Sequence, residues 1–459
     1  MPPSHPNPHD IITRLAAGTP LEQALDPADP DAWVDLDVGV RELAWRRPEL
    51  FHLRASPSGR QRSGPLMRTI TWTGPPDDAE LALALCHPDG HLREAALDRA
   101  DGRPALLPLI VIRCADWAGP VRERARAVLA AAPPHRLAAH APLVLRTAAR
   151  SRGDFARDLL SEALRTGPAA DVEALLGATD RATSRLAHRI AVERRLLPAV
   201  RLAQTAAHHA DIAVQTLCAE AAVAALSDPA PAQTAPGDPA LADATPKQTA
   251  PGDPALSDPA PEQTTPDEPE PADATPTPTA ITTILLTARH PQIRAAGVTA
   301  LRRAERYADA EPYLADRAGV VRACARYVLR QGGIDPIPLY RALCADPASW
   351  PAATVGLGEC GKREDTDLLR TLLTHPRPAV RAGAVAGLRA LDAAGLRDVQ
   401  PLLEDPASPV VRQATAALLP WADRIPPELL HRLRAEDRPR HQQVAAARLL
   451  RAAGTKTYS

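Results

Sequence analysis

Aromatic residues are scarce in this chain: its 459 residues include two Phe, five Tyr and six Trp. The 45% apolar share is therefore carried mostly by Ala, Leu and Val, a mix that packs helices closely and suits sandwiches and barrels poorly. Lysine is nearly missing. Lys247, Lys362 and Lys456 stand alone, and arginine supplies every other cation. An Arg, Ala and Pro bias of this kind follows from a GC-rich coding genome, so arginine abundance by itself points to no partner. The six cysteines (Cys86, Cys114, Cys218, Cys324, Cys344 and Cys360) include no C-x-x-C pair, and none stands near a His at zinc-finger spacing. They fall in Ala/Leu-rich stretches where Cys acts as a small hydrophobe, so neither disulfides nor a metal or other cofactor is expected. No run approaches ~18 continuous apolar residues. Met1–Asp10 also lacks the basic region and apolar run of a secretory signal. The expectation is a soluble, cytoplasmic protein with no membrane contact.

Proline, by contrast, is abundant: 50 residues, about twice the average usage of roughly 5%. Helix interiors exclude it, so it must mark boundaries or an unpacked stretch. Much of it lies in Ser227–Thr279, a Pro/Ala/Thr/Asp segment that repeats itself: Gln233–Leu241 and Gln248–Leu256 both read QTAPGDPAL. With no apolar face, such a segment cannot offset an ordering entropy of roughly 1–2 kcal/mol per residue. A long disordered insertion is expected over residues 227–280. Charge partitions around it. Although the chain totals −1, residues 227–280 carry ten acids and one Lys, residues 281–459 carry 26 basic and 18 acidic groups, and residues 1–226 balance.

Stacking the flanking sequence on itself exposes a repeat. Each copy has a turn with His-Pro, Asp-Pro or Asp-Arg, an apolar residue, Arg, small residues, and Leu seven after the Arg. Arg122 opens RERARAVL, Arg322 RACARYVL, Arg381 RAGAVAGL, Arg412 RQATAALL and Arg294 RAAGVTAL; Arg93 and Arg157 open weaker copies. In the C-terminal half the Arg place of the repeat falls at 294, 322, 350, 381, 412 and 443, with Trp350 and Gln443 standing in for Arg. Steps of 28 to 31 residues hold two short helices and two turns. The preceding stretch supplies the first helix of each pair, as in Thr366–Leu373 and Arg397–Leu403. One such hairpin cannot bury its apolar face alone, so neighbours must stack.

The D-x5-R spacing of Asp116/Arg122 and Asp316/Arg322, with Asp405/Arg412 one residue longer, resembles the HEAT-repeat (armadillo-like helical) family. The resemblance implies an all-α, right-handed α-solenoid of stacked helical hairpins. It also implies a hydrogen-bonded ladder involving Asp116, Arg122, Arg294, Asp316, Arg322, Arg381, Asp405 and Arg412. It covers roughly Asp77–Gly454 less the insertion, and over Pro133–Leu226 only Arg189 and Gln215 fit loosely. The expected organisation is a divergent cap over 1–76, repeats over 77–226, the insertion over 227–280, repeats over 281–454 and a tail over 455–459. Within the cap Trp33–Trp45 reads as helix and Arg68–Thr73 as extended.

No constellation of catalytic residues stands out. Gly356-Leu-Gly358-Glu-Cys-Gly361-Lys362 matches G-x-G-x-x-G formally, but the strand that must precede it is missing, and Arg363 takes the Ser/Thr place of a phosphate loop. A glycine helix stop is the expected role. His208-His209-x-Asp211 puts neighbouring imidazoles on different helix faces, and neither H-E-x-x-H nor a G-x-S-x-G elbow is present. HEAT-like folds include DNA glycosylases for alkylated bases, for which Trp117 beside Asp116 and Trp421 near Asp423 are the nearest candidates, and phycobilin lyases, for which no chromophore site is visible.

Eight residues after the Arg place, repeats carry Arg302, Arg330, Arg389 and Arg451. Cations there complement helix C-termini, and they also form a candidate partner-binding stripe. The expected function is a non-enzymatic scaffold or adaptor presenting an extended concave surface to a protein or peptide with an acidic patch. An electrostatic nucleic-acid binder is the alternative, and a HEAT-like DNA glycosylase a more distant one.

Overall fold

The computed structural model describes residues 7–47, 51, 55–58, 69–72, 74–226 and 278–456. The disordered insertion expected over 227–280 lies outside them, except that 278–280 open the Pro278–Leu286 helix. Two compact units form, Met1–Pro198 with His209–Cys218, and Ala199–His208 with Ala219–Ser459. Both are built of helical hairpins, and among the described residues the architecture is all-α apart from one short ribbon.

In the first unit, helices Pro8–Ala16 and Pro30–Arg46 precede the repeats. Trp33 is buried and donates its indole N–H to the Pro27 carbonyl at 3.0 Å. The ribbon pairs Ala55–Ser58 antiparallel with Thr69–Trp72, Ala55 facing Trp72. Helices Asp78–Cys86, Gly90–Ala100, Leu107–Arg113 and Gly119–Ala131 then pack as successive pairs. Asp77 starts the first with a capping box, its carboxylate accepting from the Glu80 N–H while Glu80 reaches back to the Asp77 N–H.

The second unit repeats one arrangement through Pro291–Arg303, Gly319–Gln331, Pro351–Cys360, Pro378–Ala390, Ser408–Leu418 and Arg440–Lys456. Each is preceded by a shorter first helix, several of them partly 3-10. Thr366–Thr371 passes into Leu372–Thr374, and Leu396–Val399 into Gln400–Glu404. Pro401 helps to explain the second change, since it lacks the N–H that an α-turn needs. Proline opens other helices at their first or second position, as at Pro291, Pro351, Pro378 and Pro409, where no intrahelical donor is lost, while Pro312 lies inside the 3-10 segment Tyr307–Ala315. The core follows the repeat's helical stripe: Ile293 and Leu301, Val321, Ala325 and Leu329, Val380, Ala384 and Leu388 are all buried.

Glycine sets the closest helix approach. The expected glycine stop falls at Gly361, the C-cap of the Pro351–Cys360 helix, whereas Gly356 and Gly358 lie inside the helix and have a packing role. Gly356 faces the Tyr340 ring, and Gly358 faces the backbone of Gly387. The backbones of the Pro351–Cys360 and Pro378–Ala390 helices therefore touch directly.

Candidate binding surface

Buried and part-buried arginines and aspartates form a ladder with a recurring rung. Arg381 donates Nε to Asp405 Oδ2 at 2.7 Å and Nη2 to Oδ1 at 2.9 Å, while its Nη1 donates to the carbonyls of His375 and Pro376. Arg294 does the same with Asp316 and the carbonyls of Ala288 and Arg289. Arg93 does so with Asp116 and the carbonyls of His87 and Pro88. Each guanidinium thus closes the turn before its own helix and forks onto the carboxylate of the following hairpin. That carboxylate accepts in turn from the N–H two residues on, at Ala407, Ala318 and Ala118, which starts the next helix. The Asp and Arg of one D-x5-R motif are not partners through their side chains: Arg122 and Arg322 donate to the backbone carbonyls of Asp116 and Asp316. Arg322 forks onto Glu359, which also takes Arg326 Nη1 at 2.6 Å.

Arg412 stands apart. It is exposed and has no ionic partner among the described residues. Counting six on from Asp405, as from Asp116 to Arg122, lands on buried Val411. The extra residue rotates Arg412 by about 100° into solvent.

Three rungs escaped the pattern. Arg185 forks onto Asp211 at 3.0 and 3.1 Å, Asp211 accepting from the Ala213 N–H. Arg341 joins Asp365 and Glu364. In the first unit, buried Arg113 bridges Asp37 and Asp116, and Arg41 also reaches Asp37. For the first two the only sequence signal is an Arg about one repeat ahead of an Asp, which surface pairs share; Arg113 and Asp37, 76 residues apart, carry none. Arg157 pairs with its neighbours Asp154 and Asp158, and Gln215 donates to the His209 carbonyl.

These contacts hold the carboxylates ionised. Burial opposes the charge on Asp116, but the Arg93 hydrogen bonds, the Arg113 charge and the Ala118 N–H outweigh it, leaving the carboxyl below its ordinary range. The same balance keeps Asp316 and Asp405 low against burial, through Arg294 and Arg381 respectively. Asp116 spends its oxygens on Arg93, Arg113 and the Ala118 N–H, so it offers no base beside exposed Trp117. Trp421 lies against Arg424. Ser184 Oγ is 3.2 Å from His209 Nε2. However, His209 Nδ1 accepts from the Asp211 N–H at 3.0 Å, so a neutral ring carries its proton on Nε2 and donates to Ser184 rather than activating it. Burial pushes the thiols of Cys114 and Cys344 up to about 12 and that of Cys218 to about 11, far from a reactive thiolate. Among the described residues no three His, Cys, Asp or Glu side chains gather as a metal site, and no helix is long and apolar enough to cross a membrane.

Arg302, Arg330, Arg389 and Arg451 are all exposed. The first three occupy one structural position. The carbonyl of each accepts an N–H from a left-handed residue three further on, Glu305 (φ 55°), Gly333 (φ 76°) or Asp392 (φ 53°), in a Schellman-type helix end. Arg302 stacks on Tyr327 at 5.7 Å. None of the three has a carboxylate partner among the described residues. Arg451 lies inside the Arg440–Lys456 helix and donates to the Ala447 carbonyl. Gly358 and Pro420 interrupt the series at the two intervening helices.

No family model matches the chain, and no curated protein matches it. Several solved structures align with it. The Escherichia coli protein YibA does so at 15% identity over 64% of this chain and 96% of its own, with a TM-score of 0.25. An engineered protein aligns at 16% identity over 82% and 98%, with a TM-score of 0.21. Kap121p, solved bound to RanGTP, aligns at 13% identity over 82% of this chain and 44% of its own, with a TM-score of 0.29.

Proposed function

We propose that this protein is a non-enzymatic scaffold whose helical repeats bind a protein or peptide carrying an acidic patch. The observation that carries the reading is the division of its arginines. Buried ones fork onto carboxylates of the next hairpin, while Arg302, Arg330 and Arg389 recur at one exposed position and take no carboxylate among the described residues. Stacked repeats offer binding area without a catalytic cleft. The candidate nucleophiles and bases support the same reading, since Ser184 faces the protonated nitrogen of His209 and Asp116 has no oxygen to spare.

The test is an affinity capture from lysate, with and without nuclease, using the parent chain and a variant in which Arg302, Arg330, Arg389 and Arg451 are all Gln, a swap nearly neutral for helix propensity. Recovery of a protein that resists nuclease and is lost with the variant is expected. A partner released by nuclease, with log K against log[salt] falling by about 0.9 per phosphate contacted, would replace the scaffold reading with nucleic-acid binding.

A further inference from the structure

Between helices Ser408–Leu418 and Arg440–Lys456 lies an open groove of about 450 Å³, lined by Arg412, Arg440 and Arg448 together with Thr415, Val444 and Ala445. A second hollow along the same helix shares Arg440 and Val444 and adds Arg434 and Arg438. None of these five arginines is ion-paired among the described residues. Residues 408–456 hold nine Lys and Arg against four Asp and Glu. Arg440, Val444 and Arg448 follow at intervals of four and so share one helix face. Arg451, three further on, continues it.

Helix electrostatics accounts for Arg434, at the C-terminal end of helix Pro427–Leu433, but not for the rest of this cluster. Arg302, Arg330 and Arg389 sit at helix C-termini, where a cation is favoured, but Arg438 and Arg440 sit at a helix N-terminus, where it is not. No acidic residue relieves them in the first turn. Val444, in the middle of the face, is 59% exposed, although a β-branched residue gains little on a solvated helix. Like charge gathered around an apolar centre is complementary to an occupant of opposite charge with an apolar anchor.

We propose that this groove docks an acidic amphipathic peptide segment of a protein partner, one apolar side chain resting on Val444 and Ala445 and flanking carboxylates taking the guanidinium groups of Arg412, Arg440 and Arg448. The proposal deepens the scaffold reading and rests on it. A nucleic-acid strand suits the site less well, because His441 is the single ring lining the two hollows and no Phe, Tyr or Trp is there to form a stacking platform. A bare anion would leave the apolar centre uncovered.

The test uses the full chain and fluorescence anisotropy of a short labelled peptide in which two leucines are flanked by glutamates. Binding is expected, weakened roughly tenfold or more by Arg440→Gln with Arg448→Gln, since tenfold corresponds to one charge-assisted contact. Val444→Ser should weaken it several-fold. All these positions are exposed, and circular dichroism melting confirms that the variants fold. Four results would each overturn the proposal: equal binding by the variants, equal binding of a peptide with its leucines changed to serine, full displacement by inorganic phosphate, and preference for duplex DNA. Lysate capture separates this from the broader reading. If a nuclease-resistant protein stays bound to the groove variants but is lost with Arg302, Arg330 and Arg389 changed to Gln, the groove is wrong and the scaffold stands. If the parent chain retains no protein, the scaffold itself fails, whatever the synthetic peptide does.

Discussion

Replacing Gly358 with alanine sets helix propensity against packing. Glycine inside a helix costs about 1 kcal/mol relative to alanine, so propensity alone makes Gly358→Ala stabilising. The geometry reverses the sign. A Cβ on Gly358 would stand 2.5 Å from the carbonyl oxygen and 2.7 Å from the carbonyl carbon of Gly387, and closer still to its Cα. Carbon contacts need ~3.5–4.0 Å, and backbone cannot rotate aside, so the Pro351–Cys360 and Pro378–Ala390 helices must part by roughly 1 Å. A gap of that size forfeits about a quarter to a half of the dispersion energy along the contact. The consequences extend beyond one pair, because Gly387 also lies against the Thr354 carbonyl and Leu369, and Gly383 against Thr354 and Pro351. Overpacking costs about 1–3 kcal/mol. Here the upper end applies, and subtracting the propensity gain leaves a net loss of about 2 kcal/mol. Gly454→Ala is the control: it lies in the Arg440–Lys456 helix with nothing within 4 Å of the new atom, and it should keep or raise stability by up to about 1 kcal/mol. Urea unfolding at constant m measures both, and hydrogen exchange should quicken over 351–360 and 378–390 for Gly358→Ala alone. A Gly358→Ala chain as stable as the parent would refute the reasoning.

Arg113 lies between Asp37 and Asp116 with 1% side-chain exposure, so Arg113→Leu leaves two buried carboxylates short of a partner and should cost about 3–5 kcal/mol; denaturant unfolding near the parent value would show that the pair is dispensable. Stability should also fall in acid. Asp116, Asp316, Asp405, Asp365 and Glu359 are all held below their ordinary range against opposing burial, chiefly by arginine hydrogen bonds. The unfolded chain therefore takes up protons first. Their contribution is complete above about pH 5, beyond the unfolded values near 4, and is lost as pH falls through the folded ones. Calorimetry showing a melting temperature unchanged from pH 5 to pH 3 would contradict this.

The hairpins and their stripe were legible because period and apolar spacing are local properties. Val321, Ala325 and Leu329 show their burial in the bare sequence. The pairing of rungs was not legible in the same way, since an Asp and an Arg six apart in one motif look like partners, whereas the structure joins Arg294 to Asp316 and Arg93 to Asp116 one hairpin on. Only the stacking distance between hairpins decides that, and it is a three-dimensional quantity. Glu359 and Asp365 were missed because neither stands in an Asp-Pro or Asp-Arg turn of the repeat: Arg322 takes Glu359 although Asp346 occupies the turn, and Arg341 takes Asp365. Gly361 does end its helix, but the packing role of Gly356 and Gly358 was not legible, because their neighbours Tyr340 and Gly387 belong to other helices. The groove beside Arg440 escaped notice for a related reason. Its arginines do not share a repeat position, and only the packing of two helices brings Arg412 beside Arg448.

Arg412 joins the two populations of arginine by a single step of register. Arg122 and Arg322 stand six after an aspartate and cap that residue's backbone carbonyl. One residue inserted between Asp405 and Arg412 passes the inward position to Val411, and the Asp405 carbonyl, the counterpart of those that Arg122 and Arg322 cap, is approached instead by Gln442 Nε2 at 3.3 Å and His441 Nε2 at 3.4 Å. The turn is held without the guanidinium, which is then available to the groove. Deleting one residue between Pro406 and Pro409 should therefore bring Arg412 back toward the Asp405 carbonyl and displace Val411, exchanging an exposed charge for a buried one. Arginine in this chain is thus structural or accessible according to a rotation of about 100°, which is why composition alone could not separate the two roles.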